Sequence, residues 1–324
     1  MKETNNKTIW SAERPWTYDQ IRISSFKDFQ LTRKTIESLP GGLIALDLED
    51  MRLSLAIFLD ATNDLLSSIN LFKSESERPN FWDRPSREGK EALIIRIQRG
   101  IFSVTMAAMA LVDHSRAFAK KYPIAYYNDK VTECFSNNSL HAFVKQFRNF
   151  ITHVHITKSN WLIKYDEHGR SVFFLLSQDD LNKWGKWNKT AKSYIASNPD
   201  GVNVEQLYEE YSKQVKLFHD WLRSQMWKKH SDDLHEYYSC KKTYTAINSQ
   251  CSWNMLIKQA FLPKKIDPYL YLDKYLTKEE TEEVLSYPYK SKEQIDRIIE
   301  IVDEYDACNE ELRLSVYQLF GVNS

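Results

Sequence analysis

The sequence contains little glycine and little proline, with 8 and 9 residues among 324. Both residues interrupt helices, so their scarcity, beside 9 Trp, 18 Tyr and 16 Phe, favours long helices packed through aromatic side chains. The four cysteines form no C-x-x-C pair and have no regular spacing, which argues against a disulfide framework or a zinc site. The equal numbers of basic and acidic residues, 44 each, exclude a bulk positive field, so any nucleic-acid contact must be a local patch.

Long apolar runs are missing as well. No stretch approaches the roughly 18 apolar residues that a transmembrane helix needs, and the first residues, MKETNNKTIW, are polar. The scattered cysteines fit the reducing conditions of the cytosol. We therefore expect a soluble, cytoplasmic protein that makes no contact with a membrane.

The hydrophobic periodicity predicts a mainly α-helical fold. A chain of 324 residues exceeds the usual size of one domain, and the helical spacing of apolar residues recurs along most of it. We predict an N-terminal segment at 1–44, a helical bundle at 45–236 and a C-terminal helical appendage at 237–324. Two capping-box patterns, TKEE and SKEQ, begin predicted helices in the appendage, which is a candidate sensor or partner-docking region.

Two local patterns interrupt the predicted helices. Leu39-Pro40-Gly41-Gly42 is typical of a turn, so we expect the first long helix to begin after it, at about Ala45. Further along, the β-prone runs WLIKYD and SVFFLLS flank EHGR, which contains a turn-forming glycine. This arrangement predicts one small β-hairpin insertion at 161–177.

The segment QFRNFITHVH, residues 146–155, lies in a predicted amphipathic helix. One face of this helix is apolar and consists of Leu140, Phe143, Val144, Phe147, Phe150, Ile151 and Val154. Arg148 and His153 are five positions apart, so they lie on opposite edges of the polar face, with Asn149 between them. Because Asn149 precedes His153 by one turn, we expect its amide to hydrogen-bond the imidazole and to fix the tautomer.

Polar and basic side chains form a second row on this helix, at spacings of three and four residues. The row consists of His141, Lys145, Arg148, Thr152 and His155. We expect this row to be a cationic ridge that binds RNA, with contacts from Lys145, His141, Thr152 and Lys158. If two copies of the helix face each other across a two-fold axis, each Arg148 comes close to both His153 side chains.

An arginine followed after four to six arbitrary residues by a histidine, often with Asn, Asp or His directly after the arginine, is the signature of HEPN-superfamily domains. QFRNFITHVH resembles this motif, including Asn149. The long helices around it are similar to a HEPN bundle, in which the hairpin would be an elaboration. The motif, the hairpin and the helices that follow are also similar to uncharacterised bacterial HEPN-like proteins of toxin–antitoxin or anti-phage systems.

The resemblance implies an all-α homodimer, formed through the motif helix, that cleaves RNA without a metal or another cofactor. It implies that Arg148 and His153 of both protomers are catalytic and that Asn149 supports them. His155 also lies at a permitted spacing from Arg148, so either histidine is a candidate. The implied partner besides RNA is an antitoxin or another regulatory protein. Because some superfamily members only bind, a non-catalytic RNA- or protein-binding regulator is the alternative function.

The implied reaction is the attack of an RNA 2′-hydroxyl on the adjacent phosphorus. Histidine, with an ordinary pKa of about 6.5, suits the two proton transfers, and a forked guanidinium suits the charge of the phosphorane. DNA lacks the nucleophile and is expected to be inert. His153-Val-His155 has the composition of a metal site, but such alternation suits a strand and no third ligand has a recognisable spacing, so we predict no metal.

Two further patterns have a functional and a structural interpretation. Asp113 and Arg116 lie on a long predicted helix, where they either support the cleft from a neighbouring helix or belong to a buried polar layer. Trp184 and Trp187 alternate with lysines. They either stack on single-stranded RNA or belong to the core, with the lysines as a solvated rim.

Overall fold

The computed structural model describes residues 7–136, 139–153, 159–167 and 169–322. Over these residues the protein is mainly helical, as the sequence predicts, with 14 α-helices, α1 to α14 in chain order, and one small antiparallel sheet of three strands. Three predicted residues lie outside the described residues: Val154 of the apolar face, His155 of the ridge and the RNA contact Lys158.

The chain divides into two compact units. The first consists of Met1–Ile44 and Ser231–Ser324, and the second of Ala45–His230. The predicted N-terminal segment and C-terminal appendage therefore both lie in the first unit. Its helices are α1 (Tyr18–Lys27), α2 (Phe29–Glu37), α10 (Ser231–Met255), α11 (Leu262–Lys264), α12 (Lys278–Leu285), α13 (Lys292–Val302) and α14 (Glu310–Phe320).

The second unit contains the predicted motif helix. The division from the first unit falls within α3 (Pro40–Glu75). The remaining helices are α4 (Arg87–Lys121), α5 (Tyr127–Val131), α6 (Ser139–His153), α7 (Gln178–Asn182), α8 (Lys189–Ala196) and α9 (Val204–Lys229). Two π-helical segments also occur along the described chain, Thr132–Ser136 and Leu256–Phe261.

Helix α3 begins earlier than the sequence suggests, so the predicted turn at Leu39-Pro40-Gly41-Gly42 is wrong. Pro40 is the first residue of the helix, a position where its missing N–H costs no hydrogen bond. A Cβ atom on Gly41 would lie 1.9 Å from the carbonyl oxygen of Asp233, which no side chain can tolerate. Gly41 therefore permits a close approach of two backbones within a helix, a role for glycine other than turn formation.

The predicted hairpin is present. Strand β1 (Ser159–Asp166) pairs antiparallel with β2 (Gly169–Leu176), from Ser159 opposite Leu176 to Asp166 opposite Gly169. A third strand, β3 (Val202–Asn203), pairs antiparallel with the end of β2 and was not predicted. A strand of two residues is too short to show an alternating pattern in the sequence.

The capping patterns of the first unit form to different extents. Thr277 and Glu280 at the start of α12 make both hydrogen bonds of a capping box. At the start of α13, Ser291 Oγ accepts from the backbone N–H of Gln294. The Gln294 amide, however, is buried, and its oxygen accepts from Tyr269 Oη at 2.6 Å. The apolar core beside it consists of Leu272, Leu276, Val284, Ile295, Ile298, Ile299 and Phe320.

One helix of the described chain, Arg84–Lys121, is long and apolar enough to cross a membrane by length and composition alone. No such segment is expected from the sequence, where no run of about 18 apolar residues occurs. Core helices of soluble proteins pass the same criteria, and 33% of the apolar window is buried within the protein. This helix is therefore weak support for a membrane span.

Candidate active site on helix α6

Helix α6 is held in place by its apolar face. The predicted residues on this face that the structure describes are all buried: Leu140, Phe143, Val144, Phe147, Phe150 and Ile151. They pack against α4, α8 and α9. The Phe143 ring stacks on Phe147 at 5.4 Å and on Trp187 at 5.5 Å between centroids. Because these large side chains are buried together, they fix which side of α6 can meet a ligand.

Arg148 is half-buried on the polar side of α6. Its Nη1 donates a hydrogen bond to Asn149 Oδ1 at 3.2 Å. Its Nε is buried and has no hydrogen-bond partner within the described part of the chain. Unlike most arginines on the surface of this protein, Arg148 forms no ion pair with a described carboxylate, so the guanidinium keeps N–H donors available for an anion.

His153 is the last residue of α6 and is exposed. The predicted hydrogen bond between His153 and the Asn149 amide is not formed among the described residues. The Asn149 oxygen accepts from Arg148 instead, and this places the amide beside the guanidinium. Asn149 thus orients Arg148 in this conformation, and the imidazole of His153 is left accessible to solvent.

The described part of the predicted cationic ridge carries less positive charge than its composition suggests. Lys145 and Thr152 are exposed, and the Thr152 hydroxyl donates back to the carbonyl oxygen of Arg148. His141 is half-buried, with its Nδ1 2.9 Å from Tyr211 Oη. Burial lowers the pKa of His141 to about 4, so this ring is neutral at pH 7. Among the described residues of the ridge, the positive charge therefore comes from Lys145 and Arg148.

Nothing in the sequence indicates that Tyr211 is the hydrogen-bond partner of His141. It belongs to the apolar side of α9 by spacing, and its side chain is fully buried. Its ring lies parallel to His141, with centroids 5.9 Å apart. Phe135, in the π-helical segment Thr132–Ser136, packs against both rings. A tyrosine in an apolar stripe gives no signal in the sequence for the histidine that it bonds.

Asp113 and Arg116 lie on the surface of α4, so the interpretation of these two residues as a buried polar layer is wrong. Arg116 Nη1 lies 3.5 Å from Asp113 Oδ1, and both side chains are more than half exposed. The inward positions of this stretch are Leu111, Ser115 and Phe118. The positive charge of Arg116 nevertheless contributes to the lowered pKa of His141, which places its guanidinium near the polar side of α6.

Of the two tryptophans after the hairpin, Trp187 belongs to the core of the second unit and Trp184 is half-buried beside it. Trp187 is 5% exposed, and its Nε1 donates to the Leu181 carbonyl oxygen at 2.7 Å. The Trp184 ring packs edge-on against Trp187, with centroids 4.6 Å apart. Lys183 pairs with Asp180 at the surface. Since its ring is covered by protein, Trp187 cannot stack on a nucleic-acid base.

Comparison with protein-family models, with curated proteins and with solved structures found no match. The chemistry of α6 is therefore inferred from its own residues. Among the described residues, no three His, Cys, Asp or Glu side chains lie together as a group that can hold a metal ion. An exposed imidazole and a guanidinium with unpaired donors on one helix can together bind a phosphodiester and move a proton.

Proposed function

We propose that the protein is a metal-independent endoribonuclease that uses the polar face of α6 and acts as a homodimeric toxin or anti-phage effector. The observation that supports this proposal is the state of Arg148. Its guanidinium is half-buried, is paired with the Asn149 amide and has a buried Nε without a partner among the described residues. A guanidinium that no described carboxylate neutralises is suited to a phosphate, which would accept from its accessible N–H donors.

In the proposed reaction, an RNA 2′-hydroxyl attacks the neighbouring phosphorus and the bond from phosphorus to the 5′-oxygen breaks. The products are a 2′,3′-cyclic phosphate and a 5′-hydroxyl. A histidine accepts the proton of the 2′-hydroxyl, and a protonated histidine donates one to the departing 5′-oxygen. Arg148 stabilises the charge on the phosphorane. His153, which is exposed, is the histidine that we assign to proton transfer.

One copy of α6 carries Arg148 and His153 on opposite edges of its polar face, and its other described histidine, His141, is neutral and bonded to Tyr211. The two proton transfers need two histidines on opposite sides of the phosphate. A second copy of the chain, related by a two-fold axis, would supply the second histidine and a second guanidinium. We therefore propose that the active form is a homodimer through α6, with RNA held between the two polar faces.

The test uses purified full-length protein with cellular RNA in excess EDTA. We expect fragments that end in 2′,3′-cyclic phosphate, and we expect Arg148→Ala and His153→Ala each to lower the cleavage rate by about 100-fold or more. Arg223→Ala and His114→Ala are matched controls, because both residues are exposed on other helices, and these variants should cleave normally. Circular dichroism checks that all four variants are folded.

Three other results would each change the proposal in a different way. RNA that is bound but stays intact would favour the non-catalytic binding protein. Cleavage that persists in both Arg148→Ala and His153→Ala would remove the active site from α6. If His153→Ala cleaves normally while His155→Ala does not, the nuclease assignment stands and the acting histidine is the other candidate.

A further inference from the structure

The first unit contains an apolar cavity of about 370 Å³. Side chains of α10, α13, α14, the π-helical segment Leu256–Phe261 and the 3-10 helix Pro268–Lys274 surround it. Small-molecule sites commonly measure about 300–1,000 Å³. The cavity therefore has the size of a small-molecule site.

The polar groups of the cavity determine the charge that a ligand can have. Among the described residues that line it, Asp303 is the only charged one. Its Oδ1 accepts from the backbone N–H of Ala307 and its Oδ2 from that of Cys308, both at 2.8 Å. Both carboxylate oxygens thus hold the loop before α14. An anionic ligand would meet this carboxylate without a compensating cation, and a cationic ligand would compete with the loop for its oxygens.

Aromatic side chains form part of the boundary of the cavity. Tyr271 and Tyr275 line it and are 47% and 54% exposed. The Trp253 ring packs against Tyr275 with centroids 6.0 Å apart. Tyrosine presents an apolar ring and a polar tip, so it suits the entrance of an apolar site, where one end of a ligand is wet.

The π-helical segment is a second, independent feature of this wall. It contributes Ile257 and Phe261 to the lining. π-Helical turns are rare and frequently occur at functional sites. Here its wider turn points two large apolar side chains into the cavity, as a binding site for an apolar ligand requires.

We propose that this cavity binds a small, uncharged, mainly apolar organic molecule, with an alkyl or aromatic body and at most one hydroxyl-like end. Every lining residue belongs to the first unit, whereas the proposed ribonuclease site belongs to the second. The two proposals are therefore tested separately, and either can fail without the other.

The test measures the binding of N-phenyl-1-naphthylamine, an uncharged apolar dye whose fluorescence rises in apolar surroundings. The full-length protein should bind it saturably. Val316→Phe fills the cavity from α14 and should raise the dye's Kd by about tenfold or more, because the added ring occupies ligand volume. Leu314→Phe is the matched control, since Leu314 is 61% exposed on the same helix, and it should change Kd by less than about twofold. Equal binding by both variants would overturn the proposal.

Competition tests the predicted charge of the ligand. At pH 8, 1-octanol should displace the dye at a concentration at least about tenfold lower than octanoate does. Equal displacement by the two would contradict an uncharged ligand. If Val316→Phe does not fold, Val302→Phe fills the same cavity from α13. Sedimentation tests whether a second copy of the chain occupies the cavity instead. The proposal would be overturned if the unchanged protein is a dimer without saturable dye binding and Val302→Phe or Val316→Phe converts it to a monomer.

Discussion

Two buried histidines are expected to make the second unit sensitive to mild acid. His219 is 8% exposed, with its Nε2 3.4 Å from Ser115 Oγ, and His141 is half-buried. Burial lowers the pKa of each from 6.5 to about 4. For His141, the positive charges of Lys145 and Arg116 lower the pKa further in the same direction. Both imidazoles therefore stay neutral in the folded protein at a pH at which a free histidine begins to bind a proton.

The sign of these shifts gives the direction of the effect. Above about pH 6.5 both histidines are neutral in the folded and the unfolded chain, so their contribution to stability is complete. Between about pH 6.5 and 4 the unfolded chain binds protons that the folded chain does not. For each histidine, the free energy of unfolding then falls by about 1.4 kcal/mol for each pH unit of acidification. At pH 5 the loss is about 2 kcal/mol for each histidine, and somewhat less for His141, which keeps some contact with water.

Urea unfolding at pH 7.5, 6 and 5 measures this loss. We expect the unchanged protein to lose about 3–4 kcal/mol between pH 7.5 and 5, a large share of the roughly 5–15 kcal/mol of a typical domain. His219→Phe keeps a ring of similar size but cannot be protonated, so its loss should be smaller by about 2 kcal/mol. His114→Gln, an exposed control, should behave like the unchanged protein. If His219→Phe loses as much stability as the unchanged protein, the pKa argument is refuted.

The remaining predictions concern the dimer, the ridge and a close backbone contact. Mixing the unchanged protein with an excess of His153→Ala protein should lower the cleavage rate per unchanged chain, because mixed dimers keep only one of the two histidines that the proton transfers need. Lys145→Ala should weaken RNA binding and lower the slope of log Kd against log salt by about 1, as expected for one lost phosphate contact. Gly41→Ala should lower the melting temperature strongly, because its Cβ would lie 1.9 Å from a backbone oxygen, whereas Gly89→Ala, with no atom within 4 Å, should not.

Features that depend on local periodicity were predictable from the sequence. The apolar face of α6 follows from residue spacing alone, because large side chains one turn apart must be buried together. The same holds for the hairpin, where two β-prone runs flank a glycine-bearing turn. The register of β1 and β2 then follows from the short connection between Asp166 and Gly169.

Features that depend on distant parts of the chain were not predictable. Gly41 looked like part of a turn because its partner, the Asp233 backbone, is far away in the sequence. His141 was assigned to a charged ridge, but Tyr211 on α9 bonds its ring, and burial keeps it neutral. The amide of Asn149 has two neighbours that can use it, and spacing alone cannot decide between Arg148 and His153. For Gly41 and His141 a tertiary contact outweighs the local pattern.

The central claim is that the 2′-hydroxyl of RNA is the nucleophile of a reaction carried out by α6. It is tested most directly with a short RNA that the protein cuts at one position, prepared in EDTA with and without a single 2′-deoxy nucleotide immediately 5′ of the cut. We predict that the deoxy substitution abolishes cleavage at that position while binding stays within about twofold. Cleavage of the deoxy substrate at the unchanged rate would contradict the account, because the attacking oxygen would then have to come from elsewhere.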